Sequence, residues 1–321
     1  MLMPLRSLAL YTVAVLSLVA PGMLTAQAII PGTGQEVTEV GDDFEDAEWS
    51  WNYNLPKVFN HEDTALSVNG PLGTSSNGRW YEGKKRGQPD SIRRVETPAG
   101  GLPGSTGAMA IRSQNTGSGS PSHQMQQDDL IGSVSDRIGK LSVAQAPNVV
   151  TRVFIPPLDQ WENRTGCHFA FRIALETSYA GQGPRGGPFR RAAWDDEEGL
   201  YWPGFFLNRE IKRDAQGKVV SDRAFFWMKA TQNSRQINGP FVEEFGWWTL
   251  GLSVSPDGQV HYYAKPGIED LTAADHIASA YPFGHHAFKF RNYFFNVCSG
   301  DNGQSWSTEF IIDDTRVYRA R

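Results

Sequence analysis

The chain has 321 residues with 35 Asp+Glu against 30 Lys+Arg, a formal net charge of −5 at pH 7. Such a balance supplies no basic field for nucleic acid or for an anionic membrane surface. With 33 Gly, 19 Pro and 12% aromatic residues, and no long amphipathic helical pattern, the composition is that of many strands and turns. Its aromatic content excludes a disordered chain.

The N-terminus carries Arg6, an apolar run from Ser7 to Leu24 and then Ala26-Gln27-Ala28. That is the small-x-small pattern accepted by signal peptidase, so residues 1–28 are expected to be a signal peptide. Pro21-Gly22 breaks the run before it reaches the ~20 residues of a membrane span. The protein is therefore expected to be secreted, or held in the periplasm or cell envelope, with no membrane insertion after cleavage. Residues 29–40 read as a lead-in linker and residues 41–321 as one β-sandwich domain.

The domain opens at Gly41-Asp42-Asp43-Phe44-Glu45-Asp46, followed by Trp49 and Trp51. Residues 69–123 are rich in Gly, Ser, Pro and Asn, which predicts long loops around one short strand at Ala108–Ile111. A short helix or turn is expected within Asp128–Leu141. From Val149 onward the strand signals are dense. Cys167, Phe169, Phe171, Ile173 and Leu175 alternate with His168, Ala170, Arg172, Ala174 and Glu176, giving one face to the core and one to solvent. Gly181–Arg191 reads as a loop, Gly199–Glu210 as the next strand and Ala224–Ala230 as another.

Trp248, Leu250, Leu252 and Val254 predict the inner face of a strand that turns at Pro256-Asp257-Gly258 and returns with Val260, Tyr262 and Ala264 inward. Trp247, His261, Tyr263 and Lys265 then point outward. Asp270–Ala280 has a helical look with Thr272 as N-cap. Strands over Phe288–Cys298 and Ser307–Tyr318 close the domain. Cys167 and Cys298, the two cysteines of the chain, fit one disulfide and a pair of buried thiols equally well.

The opening Gly-Asp-Asp-Phe-Glu-Asp, the hairpin Val254-Ser-Pro-Asp-Gly-Gln-Val-His-Tyr-Tyr263 and the closing Phe310-Ile-Ile-Asp-Asp-Thr-Arg-Val-Tyr318 resemble the concanavalin A-like superfamily of laminin-G-like modules, legume lectins and polysaccharide-degrading enzymes. The resemblance implies an all-β, antiparallel jelly-roll β-sandwich with long loops and one or two short helices. It also implies that the first and last strands lie side by side.

The outward faces of the central strands offer His168, Arg172, Glu176, Asn208, Glu210, Trp247, His261, Tyr263 and Lys265 as candidate ligand-binding residues. Aromatic planes stack on pyranose C–H faces, while Arg, Asn and Glu bind hydroxyl or uronate groups. The expected function is recognition of an extracellular polysaccharide or cell-surface glycan. A uronate-cleaving polysaccharide lyase is the alternative, with Arg172, His261, Tyr263 and Lys265 converging in one groove. Gln236-Ile237-Asn238 and Tyr263-Ala264-Lys265-Pro266-Gly267 are similar to two of the three jelly-roll alginate lyase motifs, with Asn in place of a His. Trp202-Pro203-Gly204-Phe205-Phe206 resembles one laminarinase-type strand, but the paired catalytic glutamates are missing. Asp195–Glu198 suits a solvated turn or a calcium rim better than a catalytic pair. Asp42, Asp43, Asp313 and Asp314 form a candidate site for a structural calcium. His276, His285 and His286 lack a zinc-ligand spacing.

Overall fold

The computed structural model describes residues 28–57, 71–84, 86–116, 125–178, 199–229 and 236–320. Residues 1–27 of the expected signal peptide, residues 181–191, read as a loop, and the acidic run Asp195–Glu198 lie outside the described residues. In chain order come β1 (Gln35–Glu36), β2 (Trp51–Asn52), β3 (Thr74–Ser75), β4 (Trp80–Glu82), β5 (Ser91–Val95), β6 (Ala108–Arg112) and β7 (Gln126–Gly132). A one-turn helix α1 (Ser135–Ile138), β8 (Leu141–Ser142), β9 (Asn148–Ile155) and the long β10 (Gly166–Ser178) follow. The second half holds β11 (Leu200–Tyr201), β12 (Gly204–Arg213), β13 (Val219–Lys229), β14 (Gln236–Val242), β15 (Gly246–Val254), β16 (Val260–Pro266), β17 (His276–Ala280), β18 (His286–Ser299) and β19 (Phe310–Arg319).

These strands form two antiparallel sheets. The smaller has the order β17-β16-β15-β9-β19-β6-β5, with β1 beside β19. The larger runs β14-β13-β12-β10-β18-β7-β4-β3-β2, with β11 and β8 attached to β10 and β18. The chain crosses between sheets at β1–β2, β4–β5, β6–β7, β8–β9, β9–β10, β14–β15, β17–β18 and β18–β19, which makes the architecture an all-β jelly-roll sandwich. Between the sheets lies one continuous core. It joins Phe169, Phe171 and Phe295 from the larger sheet to Leu250, Tyr262 and Ile312 from the smaller. Burying each such side chain is worth about 1.5–3 kcal/mol.

The β15–β16 hairpin forms as its alternation requires. Val254 faces Val260 in register, and Trp248, Leu250, Leu252, Val260 and Tyr262 all belong to the core. Its turn depends on Gly258, whose φ is +83° and where a Cβ would meet the Ala287 carbonyl oxygen at 2.4 Å. In the same sheet, Asp42 pairs with Thr315 of the closing strand by two backbone hydrogen bonds of 2.8 and 2.9 Å. The opening and closing segments therefore lie side by side.

Three local expectations differ from the structure. Residue His168 is a β-bulge: Cys167 pairs with Asn208 while Phe169 pairs with Leu207. The extra residue inverts the alternation there, so Cys167 turns to the outer face and His168 into the interior. The helical pattern over Asp270–Ala280 gives only a 3-10 turn at Ala273–Asp275, capped by Thr272, and then β17, because pairing with β16 supplies hydrogen bonds that a short helix could not match. Residues 29–40 are not a free linker. Ile30 packs on Val150, Tyr263 and Leu271, and β1 adds to the edge of β19.

Candidate functional site

On the outer face of the larger sheet, β7, β18, β10, β12 and β13 present a cationic and aromatic surface built around Arg172. Five cross-strand pairs set it up. Ala170 lies opposite Asn296 on one side and Phe206 on the other, Arg172 opposite Phe294 and Gly204, and Asn296 opposite Asp129. Arg172 can lie across β12 only because position 204 is glycine. A Cβ there would sit 2.6 Å from the Arg172 Cα and Cγ and 2.3 Å from the Phe171 carbonyl oxygen.

The guanidinium of Arg172 lies between two rings, its carbon 5.1 Å from the centroids of both Phe206 and Phe294. Its Nε and Nη2 donate to the Trp202 carbonyl at 3.0 and 2.8 Å, and Nη1 donates to Asn296 Oδ1 at 3.3 Å. Asn296 in turn donates from Nδ2 to Asp129. A polar line thus runs from the β11–β12 connection across β10 and β18 to β7. Beside it, Trp227 stacks on Phe206 with centroids 4.4 Å apart and planes 13° from parallel. The indole N–H of Trp227 and the side-chain carbonyl of Asn208 have no hydrogen-bond partner among the described residues.

The charges on this face do not balance. Burial, with Arg86 adding to the effect, lowers the Arg172 guanidinium to about 10 against the pull of Asp129. Burial also lowers Lys229, with Arg172 and Arg86 adding to the effect. Asp129 is raised by burial, against the pull of Arg86 and Arg172. Among the described residues, three cations therefore share one carboxylate in a partly desolvated setting, where an added anion would be favoured.

Of the residues expected at a ligand face, Arg172 and Asn208 belong to this surface. Glu210 lies on the same sheet face, farther along β12, where hydrogen bonds from Arg223 and Lys212 lower its carboxyl. Glu176, also on β10, pairs with Lys140 and Arg291. His168 is fully buried: Nε2 donates to the Arg164 carbonyl at 3.1 Å, so Nδ1 accepts from the Thr308 hydroxyl at 3.0 Å. Burial depresses this imidazole to about 3.

Trp247, His261, Tyr263 and Lys265 are elsewhere. They sit in β15 and β16 of the smaller sheet, and the sandwich core separates them from Arg172. Trp247 is 7% exposed, edge-on to Phe154, and donates to the Pro98 carbonyl at 3.3 Å. Tyr263 is 1% exposed beneath Leu271. His261 is held by Ser255 and Ser279 at 2.9 and 2.6 Å, and burial lowers it to about 4. Lys265 donates to the Asp270 carbonyl at 2.6 Å. The expected single groove containing Arg172, His261, Tyr263 and Lys265 is therefore not assembled. The two lyase-like motifs also fall on different sheets, Asn238 opposite Trp227 and Tyr263 opposite Gly251.

The four acids read as a calcium site are already engaged. Asp42 accepts hydrogen bonds from the indoles of Trp49 and Trp80, each at 3.0 Å, and from Asn77 at 2.8 Å. Asp43 accepts from the Glu45 backbone. Asp313 accepts from Ser105 at 2.9 Å, and burial raises it to about 6. Asp314 is paired with Arg152 at 2.6 Å and with Arg316. No group of three or more His, Cys, Asp or Glu side chains among the described residues could hold a metal ion. These acids therefore do not fit calcium.

Phe206, Phe294, Asn296, Asp129 and Trp227 were not expected at the site. One signal was available: β13 carries bulky apolar side chains at both parities, Phe225 and Trp227 outward against Phe226 and Met228 inward, which marks a strand whose outer face is not simply solvated.

No protein-family model matches the sequence, and no characterised sequence matches it at a significant level. Similar solved structures include an alginate lyase from Pseudomonas aeruginosa, at 11% identity and TM-score 0.40, covering 72% of this chain and 86% of that one. The exoplasmic/lumenal domain of VIP36, in a form bound to calcium and Man3GlcNAc, is 8% identical with TM-score 0.35, covering 76% and 84%. The lectin UEA-II complexed with galactose is 8% identical with TM-score 0.35, covering 73% and 100%. None of these values transfers a ligand or a residue role to this chain.

Proposed function

We propose that the protein is an exported glycan-binding protein whose ligand lies on the outer face of the larger sheet and carries acidic groups. The observation that carries the reading is Arg172, a guanidinium buried on an outward sheet face between two aromatic rings, with Arg86 and Lys229 near and, among the described residues, Asp129 as the acid that offsets them. A carboxylate or sulfate supplies the missing charge, and the exposed part of the Trp227–Phe206 stack offers a plane to a pyranose C–H face. Export rests on the signal pattern of residues 1–28. Binding is preferred to elimination because the general-base candidates His261 and Tyr263 lie across the core from Arg172. Calcium has no part in the proposal.

The test is calorimetric titration with oligouronates, sulfated oligosaccharides and neutral oligosaccharides, with ultraviolet detection of unsaturated uronate in parallel. Acidic ligands should bind, more weakly as salt rises, with no unsaturated product. Failure of every acidic ligand to bind would overturn the assignment, and formation of unsaturated uronate would make the protein a lyase.

A further inference from the structure

Cys167 and Cys298 occupy neighbouring strands, β10 and β18, and their Sγ atoms are 3.6 Å apart. The bulge at His168 makes this meeting possible. Without the extra residue Cys167 would point into the core, away from Cys298, which is on the outer face with Asn296. Both thiols are free and buried. Ala170 and Phe206 pack with them, and Trp227 packs against the same cluster. Only two Cys are present in the chain, so neither has a competing partner within it.

We propose that Cys167 and Cys298 are a cross-linking site, forming a disulfide that ties β10 to β18 in the floor of the outer face. The S–S bond is about 2.04 Å long, so the sulfurs must approach by about 1.5 Å, a movement that side-chain rotation on a bulged strand can supply. The two thiols give up two protons and two electrons. An oxidant of the disulfide class, such as oxidised glutathione or an oxidoreductase disulfide, takes them up and leaves as two thiols. Thiolate is the attacking species, and the Cys167 contact and burial raise the Cys298 thiol well above its ordinary value. The bridge therefore forms while the two strands are still accessible, and slowly once the outer face has closed. It links positions 131 residues apart, and cross-links closing long loops restrict the unfolded chain most. The inference does not depend on the ligand.

The protein is refolded in a glutathione redox buffer, alkylated with iodoacetamide in denaturant and weighed intact, and its thermal unfolding is followed with and without reductant. An unalkylated monomer two hydrogens lighter than the dithiol form is expected, with Tm lowered by roughly 5–15 °C on reduction. The double variant Cys167→Ser, Cys298→Ser should melt like the reduced protein and be indifferent to reductant. Two alkylated thiols at every glutathione ratio, or disulfide-linked dimers in place of the bridged monomer, would overturn the proposal. So would a Tm of the bridged protein that reductant does not move.

Discussion

Replacing Arg172 with methionine separates a ligand-binding cation from a structural one. The change keeps a long apolar stem between Phe206 and Phe294 and removes the charge together with the donors to Trp202 and Asn296. A guanidinium lowered on folding to about 10 is charged in both states at neutral pH, and its burial opposes folding by roughly 3 kcal/mol. Because this folded value lies below the unfolded one, the opposition is complete below pH 10 and fades only as pH rises above it. Loss of the ring contacts, at about 0.5–2 kcal/mol, and of a cation near Asp129 offsets much of the gain. The variant should therefore melt within about 5 °C of the parent. Phe171→Ala, one residue away and fully in the core, should cost about 3–5 kcal/mol. Binding should respond in the opposite order. Loss of a charged hydrogen bond to an acidic glycan, about 1.5–3 kcal/mol, weakens Kd by roughly 10- to 150-fold. Calorimetric titration and thermal unfolding of the same samples check both sides. A large stability loss with unchanged affinity would refute the argument and make Arg172 a structural strut.

Trp227→Ala should weaken glycan binding several-fold, on the order of 1 kcal/mol, with little change in denaturant midpoint. Lys57→Met removes the ammonium that lies 2.7 Å from buried Asp128 and 2.9 Å from Asp90, while the Ser113 hydroxyl still donates to Asp128. It should cost about 3–5 kcal/mol at pH 8. Burial outweighs Lys57 and raises Asp128 to about 7, so denaturation at pH 5, where the carboxyl is protonated, should show a smaller loss. His168 takes up its proton at about 3 in the folded protein and near 6.5 when unfolded. Its contribution to stability therefore falls as pH drops from 6.5 towards 3, and His168→Asn should reduce the slope of stability against pH there by up to about 1.4 kcal/mol per pH unit.

Periodicity of two made individual strands legible. The β15–β16 hairpin and the inner residues of β10 follow directly from alternation, and the terminal motifs place Asp42 beside Thr315. Alternation distinguishes inward from outward, but a sandwich has two outward faces. Nothing local in Tyr263 or Arg172 says which sheet it joins, and grouping them created a groove that does not exist. Burial of Trp247 and Tyr263 was hidden for a related reason: their covers, near Pro98 and Leu271, are loop segments with no period to read. The bulge at His168 is set by the register of β10 against β12, a long-range property, so the local pattern assigned Cys167 and His168 to the wrong faces. Arg172 and Asn208 were found because a polar residue between core positions is visible in any strand.

Strand β19 is last in chain order among the described elements, yet it occupies the middle of its sheet, hydrogen-bonded to β9 on one side and β6 on the other. A chain made from its N-terminus therefore presents β6 and β9 long before the strand that joins them. Until then the Met109, Ile111, Val149 and Val153 side chains have no complete sheet to cover the core, and the indole pair on Asp42 lacks the Thr315 backbone that anchors it. Folding dominated by such distant pairings is slow. The smaller sheet cannot close on a growing chain before β19 has been made, a delay during which its apolar strands depend on being kept apart from those of other chains.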